Sequence, residues 1–274
     1  DGVLLKPDPS GADTEGIAAA ADGTFWIADE YGPSLLHVAA DGTVLARWVP
    51  EGCSHWFRGA DYPVVEALPA IAARRQLNRG FEGLALSEDE TSLFLAFQSP
   101  LAHPDEHAHR HGRHVRIWNL KLATGAVVAE YLYPLDAPDS FRRDCDLGRM
   151  RWADLKVSEL VALGGNRLLV LERGSATTKL YAVTLDPASR IDDAHLNITT
   201  RPTLEELSES GEIGRRIPQL AKTLVLTTDD HPEVDADLEG IALLSSRSLL
   251  LVNDNDFGID GVPTSFWRLD LDPV

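Results

Sequence analysis

The 274-residue chain contains only two cysteines, Cys53 and Cys145. So few thiols exclude a disulfide-dense miniature scaffold and a cysteine-rich metal knuckle. The sequence leaves their pairing open: one bridge would suit an exported protein, and two unrelated thiols are the alternative. No apolar run approaches the ~18 residues that a membrane-spanning helix needs, which excludes a helical transmembrane protein. Positive charge is scarce, with 25 Lys and Arg against 43 Asp and Glu and a formal net charge of −18. That balance argues against a general nucleic-acid binder and favours attraction of cations. There is no nucleophile elbow of the G-x-S-x-G type, no Walker loop, no dinucleotide fingerprint and no H-E-x-x-H. The chain opens on Asp1-Gly2-Val3 without a Met or a signal peptide, so we expect a leader already removed or a natural start upstream.

What is present is a repeat. Asp13-Thr14-Glu15-Gly16-Ile17-Ala18 returns as Gly80-Phe81-Glu82-Gly83-Leu84-Ala85, loosely as Ser158-Glu159-Leu160-Val161-Ala162, and again as Asp237-Leu238-Glu239-Gly240-Ile241-Ala242. The four glutamates are spaced by 67, 77 and 80 positions. Each copy is followed by two further short runs rich in branched and aromatic residues, such as Phe25-Trp26-Ile27-Ala28 and Leu35-Leu36-His37-Val38. Gly, Asp and Ser bound these runs, which is a strand signature. Turns at Asp41-Gly42 and Thr124-Gly125 lead into a fourth run in two of the units. The unit is three or four antiparallel strands, and the fold class expected is all-β: a β-propeller of four-stranded blades with long, partly helical insertions, forming one domain over 1–274. The stretches 64–75 and 203–217 read as helices within those insertions. Two readings of the ring stay open. Either Val3-Leu4-Leu5 supplies the fourth strand of the last blade and closes it, or an N-terminal blade is missing.

In such a blade the first strand lines the channel and the second runs back antiparallel. The repeated glutamate is expected just before the first strand, so Glu15, Glu82, Glu159 and Glu239 should surround one mouth. The ends of the second strands should join them: Asp29 and Glu30, Gln98, Glu172 and Arg173, and Asn253, Asp254 and Asp256. Crowded carboxylates repel and need protonation, a basic neighbour or a cation. Hard oxygen donors without cysteine suit calcium or magnesium, and calcium better. The expected metal-ligating set is Glu15, Asp29, Glu30, Glu82, Glu159, Glu172, Glu239, Asn253 and Asp254. The alternative for any one glutamate is that it bonds backbone amides between blades. Arg79, Lys156 and Arg173 are the basic neighbours. Asn253 to Asp260 resembles a calcium loop in composition but lacks the spacing of an EF-hand, and an Asx-rich turn is the other reading. His103, His107, His109, His111 and His114 crowd one segment, read as a solvated loop with transition-metal or phosphate contact as the alternative. Arg142, Arg143 and Arg149, and Arg58, Arg74 and Arg75, read either as a phosphate clamp or as surface ion pairs.

Asp13-Thr14-Glu15-Gly16-Ile17-Ala18, Phe25-Trp26-Ile27-Ala28-Asp29-Glu30-Tyr31-Gly32-Pro33, Asn78-Arg79-Gly80-Phe81-Glu82-Gly83-Leu84-Ala85 and Leu168-Leu169-Val170-Leu171-Glu172-Arg173-Gly174 resemble the signature strings of the phytase-like family, the "esterase-like activity of phytase" proteins. The resemblance runs over about 13–256. It implies an exported bacterial β-propeller, extracellular or periplasmic, with phosphoesterase or esterase activity. Family members carry a strand-rich segment before the first Glu-Gly string, where this chain has twelve residues. The function expected is calcium-assisted phosphoester hydrolysis of a small anionic or ester substrate by a monomer. Glu15 and Glu82 act as bases and Arg79 and Arg173 steady the anion. A non-catalytic ligand- or partner-binding propeller and a lactonase-like hydrolase are the alternatives.

Overall fold

The computed structural model describes residues 8, 10–259 and 261–270. The first sheet comprises β1 (Thr14–Ala19), β2 (Phe25–Asp29), β3 (Ser34–Val38), β4 (Val44–Pro50) and β5 (Val64–Leu68). The second holds β6 (Phe81–Leu86), β7 (Ser92–Phe97), β8 (His114–Lys121) and β9 (Val127–Pro134). The third holds β10 (Lys156–Gly164), β11 (Arg167–Arg173), β12 (Thr178–Thr184) and β13 (Lys222–Thr227). The fourth holds β14 (Leu238–Ser245), β15 (Ser248–Asn253) and β16 (Phe266–Asp270). Strand order within each sheet follows chain order. The first strand of each sheet faces the first strand of the next: β1 packs on β6, β6 on β10 and β10 on β14. Sheets joined side by side through their first strands are propeller blades, and the chain is a β-propeller with four blades among the described residues. Val3-Leu4-Leu5, the proposed closing strand, lies outside the described residues.

Blade packing follows from alternation of apolar residues. Phe81, Phe97 and Trp118 are buried, with Trp118 meeting both Phe rings edge-on at centroid distances of 5.9 and 5.0 Å. They belong to a core that runs through the first three blades. A second core joins the third blade to the fourth through Leu169, Leu171, Leu238 and Leu251. Trp118 also donates from Nε1 to Glu130 Oε1 at 2.8 Å, and Glu130 is held by Arg116 at 2.9 Å. Arg116 in turn pairs with Glu205 of an insertion at 2.8 Å, so the insertion is tied to the blade by buried charge.

Several expectations are corrected. The segment 64–75 is not a helix. Its first half is β5, which pairs parallel to β4, because Val64 and Val65 are β-branched and find a free strand edge. Only a short 3-10 turn, Ala70–Arg74, follows. The segment 203–217 is helical only over Leu204–Glu209, capped by a Thr203 and Glu206 box. Cys53 is buried, Cys145 is exposed, and both are free thiols, so no bridge forms. The histidine-rich segment is not a loop throughout: α1 (Glu106–His111) starts on Asp105, whose carboxylate accepts from His107 N and Ala108 N. His103 and His109 are buried rather than solvated. Among the described residues the other α-helices are α2 (Arg142–Leu147) and α3 (Leu204–Glu209).

The repeated glutamate is also displaced from its expected place. It sits inside the first strand rather than before it. In all four blades the register of the first strand against the second shifts at that point, between Thr14 and Ile17, Phe81 and Leu84, Val157 and Glu159, and Leu238 and Gly240. A β-bulge adds one residue on one strand and re-aims its side chain. The glycine of the repeat has a separate reason. A Cβ on Gly16 would stand 2.3 Å from the Glu82 carbonyl oxygen, and one on Gly83 would stand 2.9 Å from the Glu159 carbonyl carbon. Only a residue without a side chain lets adjacent inner strands approach this closely. We expect Gly16→Ala to lower stability by about 1–3 kcal/mol through this overpacking, measured as the urea midpoint at unchanged slope. An unaltered midpoint would contradict the close approach.

Candidate active site at the Glu-Gly bulges

Side chains alternate along a strand, so neighbouring residues at a strand end serve different faces. Asp29 turns inward to the blade. It accepts from Ser34 Oγ at 2.8 Å and Asp13 N at 3.0 Å, and it pairs with the buried Arg47. Glu30, the next residue, turns to the inner strands. There the carboxyls of Asp13, Glu15 and Glu30 bring one oxygen each within 4.8 Å of one another. The Asp13 carboxyl lies close against that of Glu30, and the Glu15 carboxyl close against that of Glu82. Two such acid–acid contacts require shared protons or a cation. Burial, with Glu30, Asp13 and Asp254 nearby, pushes Glu15 up from 4.5 to about 7. Burial and Asp13 push Glu30 to about 7 against the pull of Arg79 and Lys156. Glu82 is buried, accepts from Gln98 Nε2, and is raised well above the ordinary range by burial and then by Glu15 and Glu30. Asp254, from the fourth blade, is close enough to Glu15 to disfavour its ionised form.

Three cations share this region. Arg79 and Lys156 are half-buried, and burial lowers the pKa of both. Arg79 Nη1 and Glu30 Oε1 are buried atoms without a hydrogen-bond partner among the described residues. Arg173 is engaged: it donates to Ser158 Oγ at 2.9 Å and to Gly174 O at 3.2 Å, and it pairs with Asp237 and Glu239.

Thus Glu15, Glu30, Glu82, Arg79 and Lys156 are brought together, with Arg173 and Asp254 beside them. Asp13 joins them, a residue of the first repeat string not among the expected ligands. Its position two before Glu15 in an extended segment was the available signal. The other expected ligands are taken up elsewhere. Glu159 accepts Leu84 N at 3.0 Å and Leu160 N at 2.8 Å, bonding backbone between blades, and burial raises it to about 8. Glu172 lies on the face opposite Arg173 and holds Tyr133 Oη, Lys222 Nζ and Asp136 N, each at 2.6 Å. Glu239 is paired with Arg173. Asn253 accepts Ser265 N at 2.6 Å and donates to the carbonyls of Asp254 and Pro263. Asp254, beside the cluster, also accepts Asp256 N at 3.0 Å in an Asx turn. The exposed Arg142 pairs with the buried side chain of Asp229 and the exposed Asp230, an ion-pair role rather than a clamp.

The sequence itself matches a family model described as "Phytase-like: Esterase-like activity of phytase" over residues 2–257. The chain belongs to this phytase-like family. A curated relative, an uncharacterized secreted protein of Arthroderma benhamiae, is 28% identical over 137 residues, covering 45% of this chain. The match spans 27% of that relative's length. Among the described residues no helix is long and apolar enough to cross a membrane. Solved structures with a similar outline include the Myceliophteria thermophila Cps50 (Swd1) β-propeller domain, at 9% identity and a TM-score of 0.38 over 95% of this chain and 72% of that one. A PQQ-bound aldose sugar dehydrogenase from Streptomyces coelicolor matches at 11% identity and 0.39, over 94% of this chain and 62% of that one. Likenesses this slight do not bear on chemistry.

The raised carboxyls have a linked consequence. Folded Glu15 and Glu30 keep their protons to about pH 7, whereas unfolded carboxyls release them near 4.5. The folded state therefore binds more protons between these values, and stability falls as pH rises through that window. In EDTA, the Tm of the wild type should decline from about pH 4.5 to 7 more steeply than that of a Glu15→Gln, Glu30→Gln double variant. Parallel profiles would rule out the uncompensated cluster.

Proposed function

We propose that this phytase-like propeller is a hydrolase of phosphoesters assisted by calcium at the cluster of Asp13, Glu15 and Glu30. One observation carries the reading: three converging carboxyls, one with an unpartnered buried oxygen, stand beside a guanidinium with an unpartnered buried nitrogen. Calcium takes oxygen ligands at about 2.3–2.6 Å, so oxygens on one ion lie within roughly 5 Å of each other. The donor set and its spacing of at most 4.8 Å fit that ion. When bound, the cation would polarise the ester and lower the cost of charge on its oxygens.

The remaining work falls to the chain. Arg79 offers its free Nη1 to an anionic oxygen of the substrate, and Lys156 adds positive charge behind it. Glu82, backed by Gln98 and beside Glu15, accepts the proton of the attacking water and returns it to the leaving alkoxide as the ester P–O bond breaks. A buried carboxylate is a stronger base than an exposed one, and a cation at the cluster would favour its ionised form. Arg173 holds Glu239 and Asp237 and fixes the floor next to Lys156. Export from the cytosol accords with the secreted relative, and calcium is abundant outside cells.

The test compares p-nitrophenyl phosphate, acyl esters and lactones with calcium and with EDTA. We expect calcium-dependent turnover of the phosphoester, a loss of about 10²-fold or more in Glu82→Gln, and a similar loss in Arg79→Met. Wild-type turnover in the Glu82→Gln variant would refute the role of Glu82. A calcium-dependent rise in Tm without turnover of any ester would favour the binding propeller instead. Turnover confined to lactones would favour the lactonase-like reading.

A further inference from the structure

A second cluster lies away from the bulges, between two insertions from different blades. His107 and His111 stand four residues apart on α1, which connects β7 to β8 in the second blade. Glu209 ends α3, which connects β12 to β13 in the third blade. We propose that His107, His111 and Glu209 form a binding site for a first-row transition metal ion, with zinc as the expected occupant.

The geometry supplies three donors. One atom of each residue lies within 4.8 Å of the other two, and His107 Nε2 is 3.1 Å from Glu209 Oε1. With bonds of about 2.0–2.2 Å, two ligands on a tetrahedral zinc stand roughly 3.3 Å apart. The two imidazoles are 4.1 Å apart between centroids and tilted by only 31°, so the rings lie one over the other at the mouth of the cluster. His111 Nδ1 is 2.9 Å from the His107 carbonyl oxygen. A carbonyl only accepts, so Nδ1 carries the proton and Nε2 keeps its lone pair for a metal. This is the outer hydrogen bond by which a ligating histidine is oriented. Paired imidazoles with one carboxylate select zinc, nickel or copper over calcium and magnesium, unlike the all-oxygen cluster at the bulges.

The two helices are fixed in position by other contacts. Ser208 Oγ accepts from Arg113 N at 2.8 Å and lies 2.7 Å from His114 Nδ1. Thr203 Oγ1 donates to the His103 carbonyl at 3.0 Å. The donors are therefore held without the ion, and His107 and Glu209 side chains are 57% and 37% exposed, so an ion enters from solvent. Three protein ligands leave a fourth position on a tetrahedral ion for water or an exogenous donor. Binding would clip the second blade's insertion to the third's.

The test is calorimetric titration of the whole chain with zinc chloride, in calcium sufficient to occupy the carboxylate cluster. We expect one zinc per chain, a binding constant weakened by more than about tenfold in His111→Ala and in Glu209→Gln, and no change in Glu30→Gln. Cobalt in place of zinc should give the intense visible absorption of a four-coordinate ion, lost in the same two variants. All three residues are partly or fully solvent-exposed, and the metal-free Tm of each variant checks its fold. Zinc binding retained in both variants, or absent from the wild type, would overturn the proposal.

Discussion

The close contact between innermost strands is the constraint on which the rest of this molecule depends. Gly16 lies against the Glu82 carbonyl and Gly83 against the Glu159 carbonyl, so the first two blades each begin on the backbone of the next. At the same step the strand bulges, and the bulge re-aims the glutamate out of the pleat. One short repeat thereby does two jobs: its glycine joins blades and its glutamate brings a carboxyl to the junction. The four copies then differ according to what meets each carboxyl. Glu159 finds two backbone amides and becomes part of the scaffold. Glu239 finds Arg173. Glu15 and Glu82 find each other, and only their junction is left with more acid than it can neutralise.

Charge elsewhere is spent in closed pairs, which makes that junction distinct. Asp29 pairs with Arg47 and Glu172 with Lys222, and Arg116 is shared between Glu130 and Glu205, each carboxylate buried against a cation. Breaking such a pair leaves an uncompensated buried charge, which is why each is enclosed by several hydrogen bonds. Around Glu15 and Glu30 the matching fails in both directions. Carboxyls contact carboxyls while the Arg79 guanidinium keeps an unpartnered nitrogen beside them. A folded chain tolerates this where protonation or a ligand restores the balance, and perturbed carboxyls of this kind concentrate at functional sites.

Much of this was legible in the sequence because the repeat is local and periodic. Alternating branched residues marked the strands, and the Glu-Gly strings marked the start of each blade. The resemblance to phytase-like proteins rested on the same strings. Where local pattern and tertiary partner disagreed, the pattern misled. Val64 to Leu68 reads as a helix by composition, yet the free edge of β4 makes it a strand. The histidine-rich segment reads as solvated, yet two of its imidazoles are buried and α1 organises the remainder.

By itself, then, the sequence determined the blades, their order and the identity of the carboxyls delivered to the inner strands, since these follow from period-two alternation and short turns. Only the tertiary structure decided which carboxyls remain available. Asp29 and Glu30 are adjacent in the chain but face opposite ways, one into Arg47 and the other into Asp13. Glu172 and Arg173 divide in the same manner. Whether an acidic group is a scaffold or a site depends on the partner it meets across a blade boundary, and those partners come from positions tens of residues away that no local pattern specifies.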